Sequence, residues 1–170
     1  MANGLSFIHS EFASYELPHG NLKSSNVLLS QDYVPLLGDF AFHPLTNPNH
    51  VAQTMFAYIS PEYIQHQQLS PKSDVYCLGI LILEVITGKF PSQYLSNAKG
   101  GIDVVELVSS LIGDQDRVAE LIDPEISANA ENSIGMMVQL LKIGLACTES
   151  EPAKRLDLEE ALKMIEEIHD

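Results

Sequence analysis

Basic side chains are scarce in this chain. Nine Lys and Arg stand against 23 Asp and Glu in 170 residues, a formal net charge of -14. A surface of that sign repels phosphate backbones and anionic lipid heads, which argues against nucleic-acid binding and against direct lipid binding. Cysteine is equally sparse. The two present, Cys77 and Cys147, fall inside apolar helical patterns. Two are too few for a disulfide framework, and both read as reduced core residues. The opening Met1-Ala2-Asn3-Gly4 has no cationic region and no long apolar stretch after it, so no signal peptide is expected. Long hydrophobic runs are missing too. The longest, Val75 to Val85, falls short of the ~20 residues of a membrane span and carries Glu84. The expectation is a soluble protein in a reducing compartment, most simply the cytosol. The chain has no internal repeat and no low-complexity tract.

What is present suits one domain or most of one. The hydrophobic share is 45%, ordinary for a globular core, and the length allows a substantial interior. Apolar spacing at Leu5, Ile8 and Phe12 predicts a helix over Gly4 to Phe12, read as the last turns of a longer one. Pro18 opens a loop that runs from Leu17 to Asn26. Val27 to Leu29 and Val34 to Leu37 predict two short strands joined through Ser30-Gln31-Asp32. Phe42 to Gln53 has no periodicity and reads as an exposed loop. Pro71-Lys72-Ser73 announces a helix over Asp74 to Thr87, stopped by Gly88 and apolar on nearly every face, as a helix at the centre of a domain must be. Further helices are predicted over Val104 to Ile112, Ile134 to Cys147 and Leu158 to Ile168, with a loop from Ser92 to Gly101. The fold expected is mainly α with a small β element near residues 27–37.

Four short motifs follow one another in a fixed order. They are His19-Gly20-Asn21-Leu22-Lys23-Ser24-Ser25-Asn26, then Asp39-Phe40-Ala41, then Ser60-Pro61-Glu62, then Ser73-Asp74-Val75-Tyr76. Their order and spacing resemble the second half of a protein kinase catalytic domain, whose pattern is H-R-D-L-x-x-x-N, D-F-G and A-P-E. Leu17-Pro18-His19, Tyr58-Ile59-Ser60-Pro61-Glu62-Tyr63 and Leu83-Glu84-Val85-Ile86-Thr87-Gly88-Lys89 give it the flavour of the plant receptor-like kinases, in particular the pollen receptor-like kinases. The resemblance implies the C-terminal lobe of the protein kinase-like fold. Residues 1–170 would then be a partial kinase-like domain without its N-terminal lobe. No G-x-G-x-x-G loop, strand Lys or helix Glu precedes His19, so the chain would hold only the floor of a nucleotide site.

The resemblance also assigns roles. In an active kinase the catalytic-loop Asp accepts the substrate hydroxyl proton. Asn21 occupies that place, and an amide accepts hydrogen bonds but takes up no proton near neutral pH. Asn21 therefore reads either as a lost base or as a residue that simply holds the loop. Lys23 matches a residue near the γ-phosphate. Asn26 and Asp39 match the magnesium positions, where hard oxygen ligands are needed, and Leu28 falls beside the nucleotide. The rival reading keeps these polar groups for loop architecture alone. Gly20 stands where the family has an Arg that pairs with a phosphorylated activation loop, so control by phosphorylation of Thr46, Thr54 or Ser60 is not expected. Ala41 replaces a glycine, which restricts the Asp39 loop.

Glu62 and Arg155 resemble a structural ion pair. Asp74 resembles the residue that accepts backbone N–H bonds from the His19 loop, and His19 and Phe40 match the apolar spine stacked on the central helix. His43, His50 and His66 read as solvated, and Tyr58 and Tyr63 as packing residues. Leu5, Val27 and Leu28 are expected to be partly uncovered. ATP and magnesium are implied for a longer form and neither for this chain alone. The partners implied are proteins of a receptor signalling complex on the cytosolic side of the plasma membrane. Two functions follow: a kinase-shaped interaction module with impaired catalysis, or a receptor-like Ser/Thr kinase when the missing lobe is present.

Overall fold

The computed structural model describes residues 1–40, 58–91, 103–114, 116–128 and 133–168. Helix α1 (Ala2–Glu11) leads through a 3-10 turn at Ala13–Tyr15 and an extended loop to a second 3-10 turn at Ser24–Asn26. Strands β1 (Val27–Leu29) and β2 (Pro35–Leu37) pair antiparallel, with Val27 opposite Leu37 and Leu28 opposite Leu36. Helices α2 (Pro61–His66) and α3 (Pro71–Thr87) follow, then α4 (Val104–Leu111). A 3-10 turn at Val118–Leu121 precedes the short α5 (Pro124–Ser127). Helices α6 (Ile134–Cys147) and α7 (Leu158–Glu167) end the described fold.

Helix α3 is the axis. Pro71 sits in its first turn, where a missing N–H costs nothing, and Ser73 Oγ accepts from Ser70 N–H at 3.2 Å. Gly88 ends it with φ +63°, a value that favours glycine. Between these limits Val75, Leu78, Ile80, Leu81, Leu83 and Ile86 are all buried. Helix α6 packs against α3 at unusually close range. A Cβ on Gly79 would lie 2.7 Å from Gly144 O and 2.8 Å from Cys147 Cβ, so only glycine lets the two backbones approach. Helices α1, α4 and α7 complete the core with Leu5, Val104, Val108, Leu158 and Ala161.

Helices α3, α4, α6 and α7 fall where apolar periodicity predicts them, with ends differing by up to three residues. Helix α2 and α5 go beyond it. Both are short helices of six residues or fewer opened by a proline, too short for periodicity to register. Leu5 departs from expectation: it is fully buried, because α1 packs its inner face on the core. Val27 is half-buried, while Leu28 is 61% exposed. The expected loops over Phe42 to Gln53 and Ser92 to Gly101 lie outside the described residues. Among the described residues no helix is long and apolar enough to cross a membrane.

Candidate functional site

The loop from His19 to Asn26 is fixed from beneath by one buried carboxylate. Asp74, in the first turn of α3, accepts from His19 N–H at 2.6 Å and Gly20 N–H at 2.9 Å. A third donor is His9 of α1, whose Nε2 lies 2.8 Å from Asp74 Oδ2. Three donors on one buried carboxylate satisfy a charge that would otherwise be costly to bury. Gly20 adopts φ +70°, the left-handed region, which lets successive N–H groups point at Asp74.

His19 is itself fully buried. Burial holds its ring below the usual histidine range, with the Asp74 carboxylate pulling the other way. Its Nδ1 accepts from Asn21 N–H at 3.3 Å, which places the ring proton on Nε2. That Nε2 has no partner among the described residues. The backbone at Asn21 is tied twice, since Asn26 Nδ2 donates to Asn21 O at 2.8 Å. Gly38 N–H donates to Asn26 O at 2.9 Å, so the loop is joined to the segment carrying Asp39. Asp39 is exposed and holds φ +57°, strained for a residue with a Cβ. The amide of Asn26 spends its N–H on the loop and keeps its carbonyl oxygen available. Lys23 is half-buried and extended, at the start of the 3-10 turn.

Phe40 is not part of the buried core. It is 45% exposed, and its ring stacks on Phe12 beyond the end of α1, centroids 6.1 Å apart. Asp39, the residue before it, is in the left-handed region with φ +57°. Ala41, His43, Thr46, His50 and Thr54 lie outside the described residues; Ser60 is buried and His66 exposed.

A second polar cluster braces the same loop. Tyr58 is buried, donates its hydroxyl to Glu84 of α3, and lies 3.1 Å from Ser24 Oγ. Burial pushes the Glu84 carboxyl up, and the Tyr58 hydroxyl bond partly offsets this. Burial and Glu84 push the Tyr58 hydroxyl well above its ordinary value. Sequence reading treats Tyr58 as simple packing and passes over Glu84, although a lone carboxylate in the apolar run of α3 signals a buried partner. It also passes over His9, whose signal is its spacing four residues after the inward-facing Leu5.

The third cluster locks the fold. Glu62 and Arg155, far apart in sequence, meet through two bonds of 2.8 and 2.9 Å. Arg155 also donates to Lys72 O at 2.7 Å and Glu149 O at 2.8 Å, and its guanidinium lies 5.1 Å from the Tyr76 ring centre. Ser73 Oγ donates to Glu62 Oε1 at 2.9 Å. Burial alone would raise the Glu62 carboxyl, but Arg155 and Ser73 hold it down at about 2. Both cysteines are buried free thiols; burial raises the Cys77 thiol and takes Cys147 to about 12, which keeps them inert.

Comparison with known proteins agrees with this geometry. The model of the protein kinase domain family matches residues 1–165. Pollen receptor-like kinase 3 of Arabidopsis thaliana is 59% identical over 99% of this chain, and pollen receptor-like kinase 6 of the same plant is 58% identical over 99%. The chain spans about a quarter of their lengths, 26% and 25%. Among solved structures, the pseudokinase domain of BIR2, an immune regulator of the RLK/Pelle family, superposes with a TM-score of 0.78 at 27% identity. That match covers 99% of this chain and 49% of the other. The chain belongs to the protein kinase family, in its plant receptor-like branch.

Proposed function

We infer that this chain is the C-terminal lobe of a receptor-like pseudokinase, a kinase-shaped module that signals by binding protein partners rather than by transferring phosphate. One observation supports the reading: Asp74 pins the loop that carries Asn21, and in the kinase motif that Asn21 resembles, this place belongs to the proton acceptor. The scaffold that orients a base is intact, and the base is an amide. An amide at that place can orient a hydroxyl but cannot take its proton, which typically removes ~10²- to 10⁴-fold of rate. His19, the titratable group bonded to the Asn21 backbone among the described residues, is no substitute. His19 is buried with its Nδ1 engaged by Asn21 N–H, and burial keeps it neutral below the normal range.

The nucleotide floor fits a magnesium–nucleotide complex in its donor chemistry. Asn26 keeps its side-chain oxygen, Asp39 its carboxylate, and Gly38 N–H bonded to Asn26 O couples the two. Those two residues would hold the metal, Lys23 would approach the terminal phosphate, and Leu28 would meet the base. ATP with magnesium would supply the transferable phosphoryl group in a longer form of the protein. Partners would be proteins of a receptor complex at the cytosolic face of the plasma membrane.

This retained floor favours a second reading, a receptor-like Ser/Thr kinase of low activity when the remainder of the domain is present. Incubating this chain, extended by the nucleotide-covering lobe that active kinases possess, with radiolabelled ATP, magnesium and a generic protein substrate distinguishes the two. The expected result is no labelling. Labelling abolished by Asp39→Ala would overturn the interaction-module reading.

A further inference from the structure

Ser60 carries a hydroxyl that the secondary structure does not use. It stands at the N-cap of α2, where a serine oxygen usually accepts an N–H from the first turn of the helix. Here it makes no such bond. The Tyr63 N–H goes instead to the Ser60 carbonyl oxygen at 3.1 Å. The residue is 2% exposed, and its Oγ has no partner among the described residues. A buried hydroxyl left without a partner is destabilising, so a partner is expected.

Ser60 lines a cavity of about 10 Å³ between the start of α2, the start of α3 and the loop at Gly20. A water needs roughly 10–15 Å³, so this space suits one water and no larger ligand. Gly20 and Asp74 line it too. Asp74 Oδ1 carries one bond, from Gly20 N–H at 2.9 Å, and has a lone pair to spare. The Gly20 carbonyl oxygen accepts no bond among the described residues. Ser73 and Cys77 also line the space, but their side chains are already committed. Ser73 Oγ serves Glu62 and Ser70 N–H, and Cys77 Sγ donates to Tyr58 O at 3.0 Å.

We propose that this cavity holds one ordered water, which accepts from the Ser60 hydroxyl and donates to Asp74 Oδ1 and to the Gly20 carbonyl oxygen. About three bonds is the usual complement of a buried water. A space that admits one sphere sets each group on its wall against that sphere, so a single molecule reaches all three. The water ties the start of α2 to the loop that carries Asn21. Asp74 already pins that loop from α3, and the water makes Ser60 its second anchor. Ser60 is thereby a positioning residue. Its role concerns loop geometry and holds whether or not the protein transfers phosphate.

A crystal structure of the chain, at a resolution that shows ordered water, tests the site. A water is expected at about 2.7–3.0 Å from Ser60 Oγ. Urea denaturation separates a bridging hydroxyl from an idle one. Ser60→Ala should lower the midpoint, because the water loses an anchor, whereas removal of an idle buried hydroxyl would raise it. Amide hydrogen exchange reads the loop directly. In Ser60→Ala, exchange at Gly20 should speed several-fold more than at Leu141, which is buried in α6 and reports global opening. A cavity without water density, a Ser60 hydroxyl bonded directly to a protein acceptor, an unchanged or raised midpoint, or Gly20 exchange that merely keeps pace with Leu141 would each overturn the proposal.

Discussion

Arg155 joins parts of the chain that lie far apart in sequence, bonding Glu62, Lys72 O and Glu149 O. Its guanidinium is buried, its bonds to Glu62 are bidentate, and three backbone carbonyls complete the set. Removing it leaves Glu62 without its counter-charge and those carbonyls without donors. Arg155→Ala should therefore lower unfolding free energy by ~3–5 kcal/mol in urea denaturation. Arg155→Lys should recover only part of that, because an ammonium cannot make the fork or stack on Tyr76. The same pair sets an acid limit. The Glu62 carboxyl is held at about 2 when folded, below its ordinary 4.5, so its stabilisation is fully present above pH 4.5. That contribution, on the order of 2–3 kcal/mol, is lost as pH falls from 4.5 towards 2. Stability measured across that window should fall less steeply in Glu62→Gln, which lacks the titrating group. A variant as steep as the parent would show that other carboxylates govern acid unfolding.

Between elements, the tightest constraint is the crossing of α3 and α6. A methyl on Gly79 would meet backbone oxygen of Gly144 and the Thr148 Cγ2, both at 2.7 Å. Backbone cannot yield there, so Gly79→Ala should cost ~1–3 kcal/mol despite its better helix propensity. A methyl on Gly144 meets chiefly the Leu83 side chain at 2.7 Å, which can shift. Thermal unfolding should thus show a larger loss of Tm for Gly79→Ala than for Gly144→Ala. The second brace is the Tyr58–Glu84–Ser24 cluster. Tyr58→Phe leaves a half-buried carboxylate without its donor and should cost ~1–3 kcal/mol, read as a lower urea midpoint. Helix positions were legible in the sequence because apolar spacing and the Pro71 and Gly88 signals mark them. Polar contacts between elements were legible only where motifs name their partners, as for Glu62, Asp74 and Arg155. His9 and Glu84 carry no motif, and nothing in a linear pattern says which distant group a lone polar residue will meet. Phe40 shows the converse: its motif suggests the core, and its ring stacks on Phe12 instead.

At the scale of the molecule, the β hairpin leaves an unusual amount of apolar side chain exposed. Leu28, Leu29, Val34 and Leu36 of the β hairpin are each more than half exposed. Apolar side chains exposed together suit contact with another surface. Paired Leu28→Ser and Leu36→Ser changes should therefore reduce self-association in light scattering while shifting stability by less than ~0.5 kcal/mol for each change. A large loss of stability would mean that these side chains serve the core. The general architecture was readable from four ordered motifs because a catalytic fold preserves their spacing. Whether the fold still catalyses turns on single atoms, and under the proposed function the decisive ones are the side-chain nitrogen and oxygen of Asn21.

Phosphoryl transfer measured with and without the missing carboxylate is the sharpest test of the account. The assay uses radiolabelled ATP, magnesium and a chain extended by the nucleotide-covering lobe that active kinases possess. The account predicts background labelling for Asn21 and a rise on the order of 10²-fold or more for Asn21→Asp, lost again when Asp39→Ala is added. Robust labelling by the unaltered chain that disappears with Asp39→Ala would contradict it.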